Sequence, residues 1–190
     1  MKIYIKAAIT DLHHENPEDR QDIALDPNTP VEILEDLSND RNTSVLLCLL
    51  CNPSLPDYLK DKLLSNSQWS GFLEQVASCL SISPEILTRL SDSEHNTVRC
   101  RVAWNPNTPV ETLIKLSQDD DWTVRSYVAG NKNTPIDIIV GFADAPNIYC
   151  RGEVAENPST PIEVLRRLIT DDSDVVRGLA KRNLRDRERL

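Results

Sequence analysis

Several groups in this chain have the residue types and spacing of binding or reactive sites. Cys48 and Cys51 form a CxxC, a spacing used for zinc sites and dithiol redox chemistry. Arg99, Arg125, Arg151 and Arg177 recur every 26 residues, with Arg20 as a further copy, and such a row of cations is what a phosphate-tracking surface would offer. Asp119-Asp120-Asp121 and Asp171-Asp172 concentrate carboxylates in short polar stretches. His13 and His14 are adjacent and cannot share a helix face, while His95 stands alone. The five glycines build no phosphate loop, and HExxH and GxSxG are absent. The chain therefore reads as a non-enzyme with no catalytic residue, no metal site and no cofactor.

What must position these groups is a repeat. The pair Val102-Ala103 recurs as Ile23-Ala24, Leu49-Leu50, Val76-Ala77, Val128-Ala129, Val154-Ala155 and, weakly, Ala180-Lys181, at steps of 26 residues with one step of 27. The following prolines, Pro30, Pro56, Pro84, Pro109, Pro135 and Pro161, keep nearly the same period. Two independent markers with one period identify a tandem array. In this frame LLCLLCNPSLP is VRCRVAWNPNTP with substitutions, so Cys48 and Cys51 occupy ordinary repeat positions and read as small buried apolar residues. A metal or redox site is the alternative, but no second CxxC completes four ligands.

Each repeat reads as two short helices without strands. Thr-Pro-Val-Glu at 108–111, its copies at 29–32 and 160–163, and Thr134-Pro135-Ile136-Asp137 predict helix starts with Thr as N-cap, Pro at N1 and Glu at N3 closing a capping box. Apolar residues then fall in one stripe, as Val110, Leu113, Leu116 or Ile162, Leu165, Leu168. An acidic connector leads to a second, shorter helix carrying the Val-Arg and Val-Ala pairs. It should end at Asn-Pro, because the residue before proline is pushed out of the helical region. Neither helix can bury its stripe alone, so neighbours must stack.

The array occupies 19–183. Residues 1–18 read as an N-terminal half-repeat that caps the first layer, and 184–190 as a basic tail continuing the last helix, the whole forming a single solenoid domain. Between Cys51 and Ser91 the motif degrades, with Leu55 in the Thr position, a one-residue register slip near Cys79, and Gln68–Phe72 replacing the usual helix entry. Drift in a tolerant repeat explains this; a bend or docking site is the sharper alternative.

Two Phe, three Trp and four Tyr in 190 residues would fill a single compact core thinly, whereas stacked aliphatic layers need fewer aromatics. The formal charge of −9 argues against general nucleic-acid binding. It is also uneven: residues 1–95 hold 7 Lys plus Arg against 16 Asp plus Glu, and residues 96–190 hold 14 against 14. A basic partner would be steered to the first half. No apolar run is long enough to span a membrane, and MKIYIKAAIT lacks the features of a signal peptide, so a cytoplasmic, monomeric protein is expected.

The pattern VRxxVAxNPxTPxExLxxLxxD, best kept from Val98 onward, resembles the leucine-rich repeat variant family, an all-helical bacterial repeat. The resemblance covers about 19–183. It implies a right-handed α-solenoid of about six two-helix repeats related to HEAT-type arrays, with one helix of each pair short and open to 3₁₀ geometry. An iron–sulfur segment found in one family member is not carried over, since no Cys precedes Cys48. In HEAT-like repeats an Asp/Arg ladder knits layers together. Asp119 and Asp171, each six residues before Arg125 and Arg177, place Arg99, Arg125, Arg151 and Arg177 in such a ladder and not on a phosphate surface.

Solenoids act through a long concave face, which the second helices should line. Arg101, Trp104, Trp122, Tyr127 and Glu153 are the candidate partner-binding residues there, since Trp, Tyr and Arg are favoured at interface hot spots. The expected function is a protein–protein interaction scaffold. The alternatives are a nucleic-acid-binding, DNA-repair-like HEAT-type protein, or an accessory subunit of an enzyme such as a lyase, because related scaffolds serve those roles.

Overall fold

The computed structural model describes residues 16–65 and 70–188. Residues 1–15 of the expected half-repeat at 1–18, with His13 and His14, and Gln68 and Trp69 of the altered helix entry lie outside them. Among the described residues all regular structure is helical, in the order α1 (Pro17–Leu25), α2 (Val31–Leu37), α3 (Thr43–Cys51), α4 (Asp57–Leu64), α5 (Ser70–Ser78), α6 (Pro84–Leu90), α7 (Asn96–Trp104), α8 (Val110–Leu116), α9 (Trp122–Gly130), α10 (Ile136–Phe142), α11 (Ile148–Glu156), α12 (Ile162–Leu168) and α13 (Asp174–Glu188). Odd-numbered helices carry the Val-Ala pair and are called VA helices here; even-numbered ones follow the Thr-Pro and are called TP helices. The fold is an all-α array of two-helix repeats. Contacts divide it into two compact units, Met1–Val76 and Ala77–Leu190, with the boundary inside α5.

Helix lengths reverse one expectation. The VA helices that precede α13 have nine residues and the TP helices of the regular repeats seven, so the second helix is the longer, and both are α-helical, not 3₁₀. The reason is where each helix is stopped. Asn105 and Asn157, each before a proline, and Asn131, before Lys132, are all extended with ψ near 126°, so the VA helix runs to this Asn, which pre-proline sterics favour at Asn105 and Asn157. No described residue has a positive φ, so the connectors turn without needing glycine.

Helix capping is a second correction. Thr108, Thr134 and Thr160 are buried and are not N-caps. Pro109, Pro135 and Pro161 occupy the cap position with no side-chain bond, and α8 starts one residue later than expected, at Val110. The Thr hydroxyls turn the other way: Thr108 donates to the Val102 carbonyl at 2.5 Å, Thr134 to Val128 at 2.5 Å and Thr160 to Val154 at 2.6 Å. Each donates to a carbonyl in the last turn of the preceding VA helix, where the regular intrahelical bonding ends; the Val102 and Val128 carbonyls also accept from the Asn105 and Asn131 N–H at 3.1 Å. Burial decides the matter, since a buried hydroxyl must find a partner and the adjacent helix end supplies one.

Side-chain caps lie instead on the VA helices. Asn16, Asn42, Asp121 and Asn147 accept from the N–H two residues on, at 3.0, 2.9, 2.7 and 2.8 Å. These positions keep the 26-residue period, so the signal was present in the sequence but belonged to the other helix. Among TP helices the side-chain cap falls in the degraded repeat, where Ser83 accepts from Ile86 N–H at 3.4 Å with Pro84 at N1.

Ser83 also locates the register slip. The cap positions run Pro30, Pro56, Ser83, Pro109, and the one extra residue falls between Pro56 and Ser70, where α4 has eight residues and not seven. The Thr position is taken by buried Leu55 and Ile82. An aliphatic side chain there needs no acceptor, so these repeats replace a buried hydrogen bond by apolar contact.

Within Met1–Val76, α1 packs on α3; within Ala77–Leu190, α7, α9, α11 and α13 pack successively. Their Val-Ala pairs form the core with the TP stripes, as in the cluster of Ala129, Val154, Ala155, Ile139, Leu165 and Val176, all fully buried.

Candidate interaction surface

The groups singled out by type and spacing separate into those that hold the repeats together and those left on the surface. Arg99 makes a two-pronged bond to Asp119, Nε to Oδ2 at 2.7 Å and Nη2 to Oδ1 at 3.0 Å. Arg151 does the same to Asp171 at 2.8 and 3.1 Å, and Arg20 to Asp40 at 2.6 and 3.3 Å. The carboxylate partner is thus twenty residues on, in the next repeat. The Asp six residues before each Arg contributes its backbone: Arg125 Nη1 donates to the carbonyls of Asp119 and Asp120, and Arg177 Nη1 to those of Asp171 and Asp172 at 2.7 and 3.0 Å. Position 145, where Arg125 would find its carboxylate, is Ala. Arg177 pairs locally with Asp174.

These contacts show in the titration of the acids. Burial pushes the Asp119 carboxyl up, but the Arg99 hydrogen bond and the Asp121 N–H outweigh it and hold it below the usual range. Asp171 is held at about 2, first by the Arg151 hydrogen bond. The acidic runs are therefore accounted for: Asp119 and Asp171 bridge repeats, Asp121 caps α9 and accepts from Asn96, and Asp172 adds a second bond to Arg151 at 2.6 Å.

An asparagine ladder, buried except at its half-buried last rung Asn183 and absent from the groups singled out by sequence, runs beside the arginines. Asn131 Nδ2 donates to the carbonyls of Ala103 and Asn105 at 2.7 and 3.0 Å, Asn157 to Ala129 and Asn131 at 2.7 and 3.0 Å, and Asn183 to Ala155 and Asn157 at 3.0 and 3.1 Å. Asn105 donates to Ala77 and Cys79, and Asn52 to Ala24 and Asp26. Asn52, Asn105, Asn131 and Asn157 each also accept on Oδ1 from the N–H two residues on, as Asn131 does from Asn133 at 3.0 Å. One residue type therefore ends a helix, makes the turn and ties the repeat to its predecessor. Its recurrence at one place in the repeat, before proline at Asn52, Asn105 and Asn157, was the available clue.

Cys48 and Cys51 are half-buried on α3; Cys100 and Cys150 are buried, and burial pushes the Cys100 thiol up to about 11. Among the described residues no group of three or more His, Cys, Asp or Glu could hold a metal ion. His95 is the N-cap residue of α7.

The five candidate partner-binding residues lie on consecutive VA helices α7, α9 and α11. Trp104, at the end of α7, meets Tyr127 of α9 edge to face, with ring centroids 5.7 Å apart at 72°. Trp122, at the start of α9, stacks on Tyr149 of α11 at 5.4 Å and 23°. Tyr149, 64% exposed, was not singled out from the sequence because it sits next to the cap at Asn147, outside the expected apolar face. Trp104 is 54% and Trp122 42% exposed. Glu153 leans into the space left by Gly130: its Oε2 occupies the place a Cβ would take, and Trp104 Cζ3 is 3.2 Å from that point. Burial, then the charge of Glu156, raises its pKa above the ordinary value. Arg101 is exposed on α7. The structure thus brings Trp104, Tyr127 and Glu153 together and places Trp122 in a separate aromatic pair.

One comparison decides the fold. A solved leucine-rich repeat variant, described as having a novel repetitive structural motif, superposes with a TM-score of 0.60 at 23% identity, covering 94% of this chain and 71% of its own. The chain has the leucine-rich repeat variant fold. Two engineered proteins overlap more loosely: one at 17% identity with a TM-score of 0.42, covering 97% of this chain and 96% of its own, the other at 15% and 0.45, covering 97% and 68%. No protein-family model and no curated protein matches. Among the described residues no helix is long and apolar enough to cross a membrane.

Proposed function

We propose that this protein is a non-enzymatic interaction scaffold that docks another protein on the VA-helix row α7–α9–α11. A helical repeat fold suits a protein-binding role in general. The observation that carries the choice of surface is the pair of exposed aromatic contacts, Trp104 with Tyr127 and Trp122 with Tyr149, each bridging successive repeats. Exposing large aromatic area costs solubility, and repeat cohesion does not require it, since the buried Asn and Val-Ala contacts already join the helices. A partner that buries these rings would gain from their area and rigidity.

The nucleic-acid reading is less favoured because the arginines that would contact phosphate are engaged with Asp side chains or connector carbonyls. The test is a variant carrying Arg101→Ala, Trp104→Ala and Tyr127→Ala. Its helical circular dichroism should match the parent while capture of a partner from lysate is lost. Capture retained at parental level would overturn the assignment, and a steeply salt-dependent mobility shift with DNA or RNA would replace it.

A further inference from the structure

The carboxylate of Glu153 is the chemically unfinished group on this row. Its neighbour one turn on, Glu156, is paired with Arg182 of α13. Glu153 has no hydrogen-bond or ion-pair partner among the described residues, although it is half-buried between Gly130 and the Trp104 ring. A carboxylate drawn into such a notch loses hydration without gaining a cation in return. The position equivalent to Gly130 holds Trp104, Glu156 and Arg182 in the other regular repeats, so only here does the helix surface leave room for a side chain from α11 to lean in. Beside the carboxylate stands the Trp104 ring, more than half exposed and set edge to face against Tyr127.

An anion flanked by exposed aromatic rings is the complement of a cation on an aliphatic stem. The charge can sit against the carboxylate and over a ring face, and the methylenes can cover apolar ring surface. We propose, building on the interaction row above, that the Trp104–Tyr127–Glu153 notch receives a lysine or arginine side chain of the protein partner. The half of the chain that holds the notch is charge-balanced, with 14 Lys plus Arg against 14 Asp plus Glu in residues 96–190, so the notch itself, and not general attraction, would fix such a side chain.

The test uses the full chain and short fluorescent peptides of alternating Lys and Gly, alternating Arg and Gly, and alternating Gln and Gly, titrated by anisotropy. One or both basic peptides should bind and the Gln peptide should not; the stronger of the two identifies the preferred cation. Trp104→Ala and Glu153→Gln should each weaken binding by about fivefold, in keeping with loss of one cation–π or charge contact. Absence of binding overturns the inference. Binding that survives both Trp104→Ala and Glu153→Gln also overturns it, because attraction to a generally acidic chain would then explain the result. If Trp104→Ala loses helical structure, the near-isosteric Glu153→Gln decides alone. Loss of partner capture in the triple variant with no Glu153 dependence for peptides would leave the docking row standing and remove only the cation.

Discussion

The joint between α9 and α11 differs from the joints on either side of it. Arg99 and Asp119 bridge α7 to the following repeat, and Arg151 and Asp171 bridge α11 to its successor, but Arg125 faces Ala145 and makes only carbonyl bonds. The asparagine rung is present at all three, buried at Asn131 and Asn157 and half-buried at Asn183. An ion pair whose two side chains are largely withdrawn from water, as in Arg99–Asp119 and Arg151–Asp171, sets its attraction against the cost of desolvating both charges, so its net gain is small. A buried carbonyl that loses its donor cannot recover a partner, so the cost of removal is large. The difference indicates that the amide rung is the common fastening of the array and the ion pair an addition to it.

The largest expected effect comes from removing a rung. Asn131→Ala should cost about 2–3 kcal/mol, since two buried carbonyls lose their donor, and Asn157→Ala should cost as much, as read from urea melts. If Asn131→Ala proved much milder than Asn157→Ala, the Arg99–Asp119 pair would be compensating, and the ranking of rung over ion pair would fail.

Thr108→Val should have a smaller effect, about 1 kcal/mol for one lost hydrogen bond with packing retained. Leu55 and Ile82 show that an aliphatic side chain fits the equivalent position. A destabilisation by Thr108→Ala alone would not separate a lost cap from a lost carbonyl bond, but the Val variant can be paired with amide exchange at the first turn of α8. Protection there should not change. Its loss would restore Thr108 as the cap.

The smallest effect is a gain. Ala145→Asp should give the middle joint the ion pair of its neighbours and raise stability by about 0.5 kcal/mol, within the range for such pairs. Its pH dependence has a definite sign. Asp171, held at about 2 in the folded chain and near 3.9 when unfolded, contributes stability that is full above the unfolded value and is lost as pH falls through the folded one. The increment from the carboxylate introduced by Ala145→Asp should likewise disappear as pH falls from about 4 toward 2. An increment that persists in acid would arise from something other than the ion pair.

How much could be read in advance depends on how local each interaction is. The repeat frame, the two helices per repeat and the stop at Asn-Pro were legible because period and pre-proline sterics act on neighbouring residues. The caps at Asn42, Asp121 and Asn147 were equally local but went unread, because the Thr-Pro motif offered a cap pattern at the wrong helix. Trp104, Tyr127 and Glu153 could be named as surface residues, yet their meeting depends on Gly130 and on the offset between α7, α9 and α11.

Sequence by itself determined the periodicity, the helical class and the Val-Ala and Leu positions of the core, since these follow from side-chain spacing along one helix. Tertiary structure decided where the polar groups point. Thr108 reaches back six residues to Val102, Arg99 reaches twenty forward to Asp119, and Asn131 reaches 28 back to Ala103. A period places equivalent atoms in every repeat but does not say which neighbouring repeat a hydroxyl, guanidinium or amide will find. Burial chooses, because each polar group that packing takes out of water must pair with whatever donor or acceptor the adjacent helix end presents.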